Sequence, residues 1–114
     1  MTDCLFCQIV AGQIPAKVAA ESDDALAFYD IAPQAPVHVL VVPKAHFASV
    51  NEVTLEHPGV FEDLLRLAQE VAEREGIKDS GYRLVINVGR DGQQTVSHLH
   101  VHVLGGRQMT WPPG

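Results

Sequence analysis

The sequence of 114 residues is poor in basic residues and cysteine, and it lacks long apolar runs. Eight lysines and arginines stand against 14 acidic residues, and the net charge of -6 excludes the basic stripe that binds a nucleic-acid polymer, although not a small nucleotide. No apolar run approaches the ~20 residues that cross a membrane, and the first residues lack the basic start of a signal peptide. Two cysteines without a secretory signal suggest a reducing compartment, so we expect a soluble cytoplasmic protein.

What remains is an ordinary globular composition with one unusual feature, a set of six histidines. An apolar fraction of 46% with 19% charged residues is typical of a folded domain and not of a disordered chain. The length suits one domain, which we expect to span residues 1–114.

The hydrophobic pattern predicts two helices and five strands. The first helix is predicted from Cys4 to about Ala11, with Asp3 as its N-cap. Strands are predicted over 17–21, 25–30, 37–42, 82–88 and 97–104. The second helix is predicted to begin between Thr54 and Gly59 and to stop at Gly76. Its expected apolar face consists of Val60, Phe61, Leu64, Leu65, Ala68, Val71 and Ala72. Because helices and strands do not alternate strictly, we expect an α+β fold with a mostly antiparallel sheet.

Three histidines alternate with apolar residues in the last predicted strand. Side chains two apart share a face of a strand, so His98, His100 and His102 should project together, about 7 Å from one to the next. Neutral imidazole can be a nucleophile, a proton acceptor or a metal ligand. A polar strand face and a three-histidine metal site are the alternatives. The second fits poorly, because tetrahedral ligands lie only about 3.4 Å apart.

A Cys-x-x-Cys motif formed by Cys4 and Cys7 opens the first predicted helix. A redox motif of this type normally accompanies a βαβ unit, which the element order lacks. Buried thiols without further function and metal-ligating thiolates remain as alternatives.

The segment His98-Leu99-His100-Val101-His102-Val103-Leu104 resembles the signature His-φ-His-φ-His-φ-φ of the histidine triad (HIT) superfamily. Blocks at 14–17, 27–31, 33–38, 81–87 and 104–114 also resemble its nucleotide-binding branch. The resemblance implies a five-stranded antiparallel sheet with two helices, continued across a homodimer. It also implies hydrolysis of purine nucleoside phosphoramidates, which releases a nucleoside 5'-monophosphate and an amine through a nucleotidyl-histidine.

Roles for individual residues follow from the same resemblance. His100 is the implied nucleophile, with His102 and His38 beside the phosphate and with Thr95 where this branch usually carries a serine. Asp30 is implied to bind the ribose, and Asn87 and Gln94 the phosphate. The implied base pocket and amine pocket consist of Phe6, Ile9, Ile14, Phe28, Ile31 and Trp111.

Purely structural roles remain open for several of these residues. Asp30 could be a turn residue, and Asn87 could satisfy backbone groups at a strand end. Phe6 and Ile9 have the helical spacing of core residues, and Trp111 could be a plain hydrophobic anchor.

Relatives that carry the Cys-x-x-Cys motif with a histidine after the third strand bind zinc. The resemblance therefore implies a closed structural site of Cys4, Cys7, His46 and His98, and no organic cofactor. His57 should be solvent-exposed. Two further functions stay open, a nucleotide-binding regulatory protein with vestigial hydrolysis and a metal-dependent hydrolase.

Overall fold

The computed structural model describes residues 3–114 and contains the expected two helices and five strands. The helices are α1 (Leu5–Val10) and α2 (Val60–Arg74), and a short 3-10 helix covers Val50–Glu52. The strands are β1 (Val18–Glu21), β2 (Ala25–Tyr29), β3 (Val37–Pro43), β4 (Tyr82–Val85) and β5 (Val101–Gly105). They form an antiparallel sheet in the order β1-β2-β3-β5-β4, which confirms the predicted α+β class.

Two-residue alternation along the central strands divides the apolar residues between two faces of the sheet. Val39 and Val41 of β3 join the cluster that α2 covers, whereas Leu40 and Val42 join the cluster around Phe6 of α1. Val101 and Val103 of β5 also face the α2 side. The opposite face of β5 therefore presents histidine under α1.

Helix α2 buries one stripe, but not the whole stripe predicted. Leu64, Ala68, Val71 and Ala72 are buried as expected, together with Leu67. Phe61 and Leu65 are instead 41% and 44% exposed. The buried face is thus centred on Leu64 and Leu67, and the flanking pair points away from the sheet. Within residues 3–114, no helix has the length and apolarity that a membrane crossing needs.

Helix α1 begins one residue later than predicted, and its N-cap differs. The N-cap is Cys4 and not Asp3, because the Cys4 Sγ accepts the backbone N–H of Cys7 at 3.4 Å. The helix has six residues, and Gly12 follows with a positive φ of 76° that lets the chain turn away.

Two predicted strands are shorter than expected. β4 ends at Val85, where the expectation was 88, and β5 begins at Val101, where it was 97. Val101 pairs with Val41 near the end of β3, and the chain leaves the sheet after Pro43. Residues 98–100 therefore do not pair with β3, and the Leu99 N–H donates to the Phe47 carbonyl at 2.7 Å instead.

Candidate functional site

A pocket of about 500 Å³ lies between α1 and the sheet, a volume typical of small-ligand sites. The apolar side of the pocket comes from α1, the segment after it, β2 and β3. Nine of the residues singled out from the sequence line it: Phe6, Ile9, Ile14, Phe28, Asp30, Ile31, Thr95, His100 and His102. The expected nucleophile and the expected base walls thus share one cavity.

His100 is buried at the inner wall of this pocket, 4% exposed. Its Nδ1 lies 2.7 Å from the backbone carbonyl oxygen of His98. A carbonyl can only accept, so Nδ1 carries the proton and donates it. The neutral ring then has its lone pair on Nε2. This is the protonation state that a histidine nucleophile requires.

His38, on β3, and His102, on β5, form a second hydrogen-bonded unit with Asp30. The backbone N–H of Gln34 donates to His38 Nδ1 at 3.0 Å, so a neutral His38 carries its proton on Nε2. That Nε2 lies 2.9 Å from His102 Nδ1 and 3.4 Å from Asp30 Oδ2. His102 accepts at Nδ1, which leaves its own proton on Nε2. We call Asp30, His38 and His102 the relay cluster.

Burial keeps the two imidazoles of the relay cluster neutral. It lowers the pKa of His102 to about 4, helped by repulsion from His100 and His38 and opposed by Asp30. The pKa of His38 is also lowered by burial, against the attraction of Asp30. At neutral pH this part of the site therefore offers N–H dipoles and not cationic rings.

Four further side chains meet on the other side of Phe6 and form what we call the metal cluster: Cys4, Cys7, His46 and His98. Their ligand atoms all lie within 4.8 Å of one another. His98 Nδ1 is 3.2 Å from Cys4 Sγ, 3.5 Å from Cys7 Sγ and 3.2 Å from His46 Nδ1. Tetrahedral zinc with bonds of about 2.0–2.3 Å separates its ligand atoms by about 3.3–3.8 Å. The donor set and its spacing fit such an ion.

The protonation of His98 also fits a metal ligand. Its Nε2 lies 2.9 Å from the Pro43 carbonyl oxygen and must donate to it, which leaves the Nδ1 lone pair directed at the cluster. The side chain is fully buried, and burial lowers its pKa, against the hydrogen bond to Pro43. A neutral imidazole with its second nitrogen held by a carbonyl is the usual form of a metal-bound histidine.

The relay cluster also groups two histidines with a carboxylate, but it does not fit a metal ion. His38 faces its partners with Nε2, and the Gln34 N–H at Nδ1 requires the proton to sit on that Nε2. A protonated nitrogen cannot ligate a metal. The hydrogen bonds therefore favour a proton-carrying role for this group.

Three expected substrate contacts are not brought to the pocket. The Gln94 amide donates to the carbonyls of Ala48 and Val96 and accepts from Gly89 N–H, so it organises the loop before the triad. Its direct contact with phosphate stays a prediction, and in this structure the amide is engaged by the loop. Asn87 and Trp111 do not line the cavity, and Trp111 is 80% exposed.

Some contributors were not singled out from the sequence. Lys17 and Tyr29 line the pocket, with the Lys17 ammonium 4.8 Å from the centre of the Tyr29 ring. The carbonyl of Pro43 and the amide of Gln34 fix histidine tautomers through backbone atoms, for which no side-chain pattern gives a signal. His57 is exposed as expected, although its ring also packs against Phe47 at 4.9 Å.

Comparison with known proteins adds a family relationship to this geometry. The HIT domain family matches residues 11–109, a range that includes both clusters except for their two cysteines. An uncharacterised HIT-like protein of Synechococcus elongatus is 50% identical over 112 residues, or 98% of this chain and 97% of that protein. The crystal structure of a HIT family hydrolase from Legionella pneumophila has a TM-score of 0.95 at 51% identity, covering 98% of this chain and 100% of the other. A histidine triad nucleotide-binding protein of Candida albicans has a TM-score of 0.81 at 29% identity, covering 98% and 85%.

Proposed function

This chain belongs to the HIT family, and we propose that it is a hydrolase of purine nucleoside phosphoramidates that works through a nucleotidyl-histidine. The Legionella pneumophila relative is a HIT family hydrolase and the Candida albicans relative a histidine triad nucleotide-binding protein, which supports a hydrolase with a nucleotide substrate. The observation that carries the proposal is the 2.7 Å bond from His100 Nδ1 to the His98 carbonyl, which leaves Nε2 unprotonated in the pocket.

In the first step His100 Nε2 attacks the phosphorus, and the phosphorus–nitrogen bond breaks with its electron pair leaving on the amine. The amine takes up one proton from solvent, and Thr95 is suited to pass it, because this hydroxyl-bearing residue lines the pocket and is exposed to solvent. Water then attacks the phosphorus of the nucleotidyl-histidine and releases one proton to solvent. The bond to Nε2 breaks, which returns the lone pair to His100 and releases the nucleoside monophosphate.

The relay cluster serves the phosphate. His102 accepts from His38 at Nδ1, so its Nε2–H is available to donate to a phosphoryl oxygen. Because its pKa lies near 4, His102 donates this hydrogen bond as a neutral group across the working pH range. A fixed N–H dipole in a buried site stabilises the charge that builds on phosphoryl oxygens during both steps.

The nucleoside occupies the apolar end of the pocket in this proposal. Phe6, Ile9, Ile14, Phe28 and Ile31 would enclose the base. Asp30 Oδ1 already accepts the Ala32 N–H at 2.8 Å, and the remaining lone pairs of the carboxylate would accept from the ribose hydroxyls. Asn87 is proposed as a phosphate-side donor that comes into reach only when the loop before the triad adjusts to substrate.

The metal cluster is proposed to hold a structural zinc ion through Cys4, Cys7, His46 and His98. Four protein ligands close a tetrahedral site, so the ion would clamp side chains together and leave no position for substrate. Metal analysis of the purified protein tests this. About one zinc per chain is expected, and a content near zero after growth in zinc-supplied cells would reject it.

A homodimer is proposed from the free edge of β4 and from apolar side chains left uncovered. Leu84 and Ile86, at and after β4, are each 38% exposed, and Phe61 and Leu65 of α2 are similarly open. Pairing of two β4 edges would extend the sheet to ten strands, and it would let the Trp111 tail contribute to the partner's amine pocket. Light scattering after gel filtration should give twice the chain mass. We propose a cytoplasmic location for this enzyme.

The reaction itself is tested by rapid quenching. The protein is mixed with an adenosine or guanosine 5'-phosphoramidate, quenched within milliseconds and measured by intact mass spectrometry. A transient adduct of nucleotide mass is expected on the wild type and none on the His100→Gly variant. Turnover without any adduct on the wild type would contradict the covalent route. Binding of nucleoside monophosphate without turnover of either substrate would favour the regulatory alternative.

A further inference from the structure

Helix α1 belongs to the metal cluster and to the nucleotide pocket at the same time. Cys4 caps the helix and Cys7 lies in its first turn, and both sulfurs face His98. Leu5, Phe6 and Ile9 of the same helix line the pocket. A displacement of α1 would therefore change both places together.

Phe6 is the physical link between them. It lies between the two cysteines in sequence. The centre of its ring is 5.9 Å from the ring centre of His98 and 5.2 Å from that of His100, and both pairs pack edge to face. A third edge contact, at 5.4 Å, joins it to Phe28 on the floor of the pocket. One buried ring thus touches a metal ligand, the nucleophile and the base wall.

His98 provides a second path by which the metal cluster reaches the nucleophile. Its imidazole directs Nδ1 at the two sulfurs, and its backbone carbonyl accepts the proton of His100 Nδ1. The segment around His98 lies outside the regular pairing of β5. The position of the carbonyl that orients the nucleophile therefore depends on what holds the His98 ring.

Helix α1 has little stability of its own. It has six residues, and isolated helices shorter than about 12 residues are marginal in water. Without metal, thiols and imidazoles of the cluster contact one another over 3.2–3.5 Å. A bound ion replaces these contacts with four ligand bonds, and it fixes α1 against residues 46 and 98.

We propose that metal bound by Cys4, Cys7, His46 and His98 raises the affinity of the pocket for nucleotide, because it holds Phe6 against His100. This inference deepens the proposed function and rests on it for the identity of the ligand. Coupling between two sites is reciprocal, so nucleotide must raise the affinity for zinc by the same factor. Loss of zinc, or oxidation of Cys4 and Cys7 by a peroxide, would then weaken substrate binding.

The test is a thermodynamic cycle on the full chain. Calorimetry gives the Kd for adenosine or guanosine monophosphate in the zinc-loaded protein and in protein stripped by a chelator. A competing chromophoric chelator gives the Kd for zinc with and without saturating nucleotide. We expect a factor of about 5 or more, equal in both directions. Equal nucleotide affinities in the two metal states would overturn the inference.

Two matched variants distinguish loss of the coupling between zinc and nucleotide from loss of an aromatic side chain that lines the pocket. Phe6→Leu should still bind zinc, but its coupling factor should fall towards one. Phe28→Leu removes a ring from the same pocket that is not part of α1, so it should weaken nucleotide binding equally in both metal states and keep the factor. If the two variants behave alike, Phe6 is not the link. Should Phe6→Leu fail to fold, the wild-type cycle decides alone.

Failure of this inference can be told from failure of the proposed function. Phosphoramidate turnover with nucleotide binding that ignores zinc would reject the coupling only. Reciprocal coupling without any turnover would reject the hydrolase and keep the coupling. Absence of nucleotide binding in both metal states would reject both.

Discussion

The metal cluster and the relay cluster use the same side chain in opposite ways. Each contains two histidines with partners that can be negative. In the metal cluster the Pro43 carbonyl accepts a hydrogen bond from His98 Nε2–H, so the unprotonated Nδ1 points into the cluster. In the relay cluster the Gln34 N–H occupies Nδ1 of His38, so a proton points inward.

The difference shows that one backbone atom decides what a histidine cluster can do. When a backbone carbonyl accepts a hydrogen bond from one ring nitrogen, the other nitrogen keeps its lone pair and can act as a ligand. When a backbone N–H donates to one ring nitrogen, the other nitrogen carries the proton and acts as a hydrogen-bond donor. His100 follows the first pattern, with the His98 carbonyl behind it, and so presents a lone pair to the pocket. Ligand, nucleophile and donor thus arise from three imidazole environments within one small site.

Removal of His100, the proposed nucleophile, should have the largest effect on turnover and leave the metal cluster unchanged. We expect His100→Ala to lower turnover of a nucleoside phosphoramidate at least ~1000-fold, since no other group in the pocket is placed to form the intermediate. Zinc content and binding of nucleoside monophosphate should persist. Steady-state kinetics measures the turnover, metal analysis the zinc content and calorimetry the binding. Equal turnover by variant and wild type would reject the covalent mechanism.

Interruption of the relay cluster should lower turnover less than removal of His100 does. His38→Ala removes the donor to His102 Nδ1, so His102 loses the partner that holds its Nε2–H towards the phosphate. We expect kcat to fall about 100-fold with a smaller change in KM. His38→Gln, which can accept from Gln34 and donate to His102, should recover part of the loss.

The matched control is His46→Ala, an exposed histidine of the metal cluster. It should lose zinc and the gain in nucleotide affinity that depends on zinc, but keep kcat at saturating substrate within a few-fold of the wild type. A larger loss of kcat in His46→Ala than in His38→Ala would invert the roles assigned to the two clusters.

Metal removal should act mainly on stability. An ion at about 100 times its Kd stabilises a fold by about 2.7 kcal/mol, which for a domain of this size is a Tm change of about 10 °C. A chelator should lower the Tm of the wild type by that amount and leave the Tm of His46→Ala unchanged. An equal chelator effect on both proteins would place the metal elsewhere.

Per pH unit, the smallest effect on stability is expected from the titration of His102. His102 has a folded pKa of about 4, lower than the ordinary histidine value of 6.5, so between these values the unfolded chain binds more protons. The free energy of unfolding should therefore decrease as pH falls from about 6.5 to about 4, by up to ~1.4 kcal/mol per pH unit from this group. Denaturant titrations in chelator at several pH values should show a weaker pH dependence of the free energy of unfolding for His102→Gln. An unchanged pH dependence would contradict a half-buried, neutral His102.

Much of the fold could be predicted from the sequence, because alternation and helical spacing are local properties. The five strands, both helices and the common face of the triad all follow from such patterns. Less local features were missed. Leu65 was expected to be buried and Leu67 was not, since the stripe that α2 buries depends on how the helix lies on the sheet.

The functional residues divide in the same way. The resemblance to the HIT family suggested the members of both clusters, and the structure brings those members together. The protonation pattern could not be predicted, because it depends on the backbone of Gln34 and Pro43, which are distant in sequence from the triad. Gln94 was assigned to the phosphate for its amide, but three loop contacts already use that amide.

Nitrogen-15 NMR of the imidazole rings at neutral pH measures which ring nitrogens carry protons and, on addition of zinc, which bind the metal. We expect a proton on Nε2 of His38, His98 and His102 and a proton on Nδ1 of His100. On addition of zinc, only Nδ1 of His98 and of His46 should shift as metal-bound nitrogens. A proton on Nε2 of His100, or a metal-induced shift at Nε2 of His38, would contradict the assignment of nucleophile, relay and ligand.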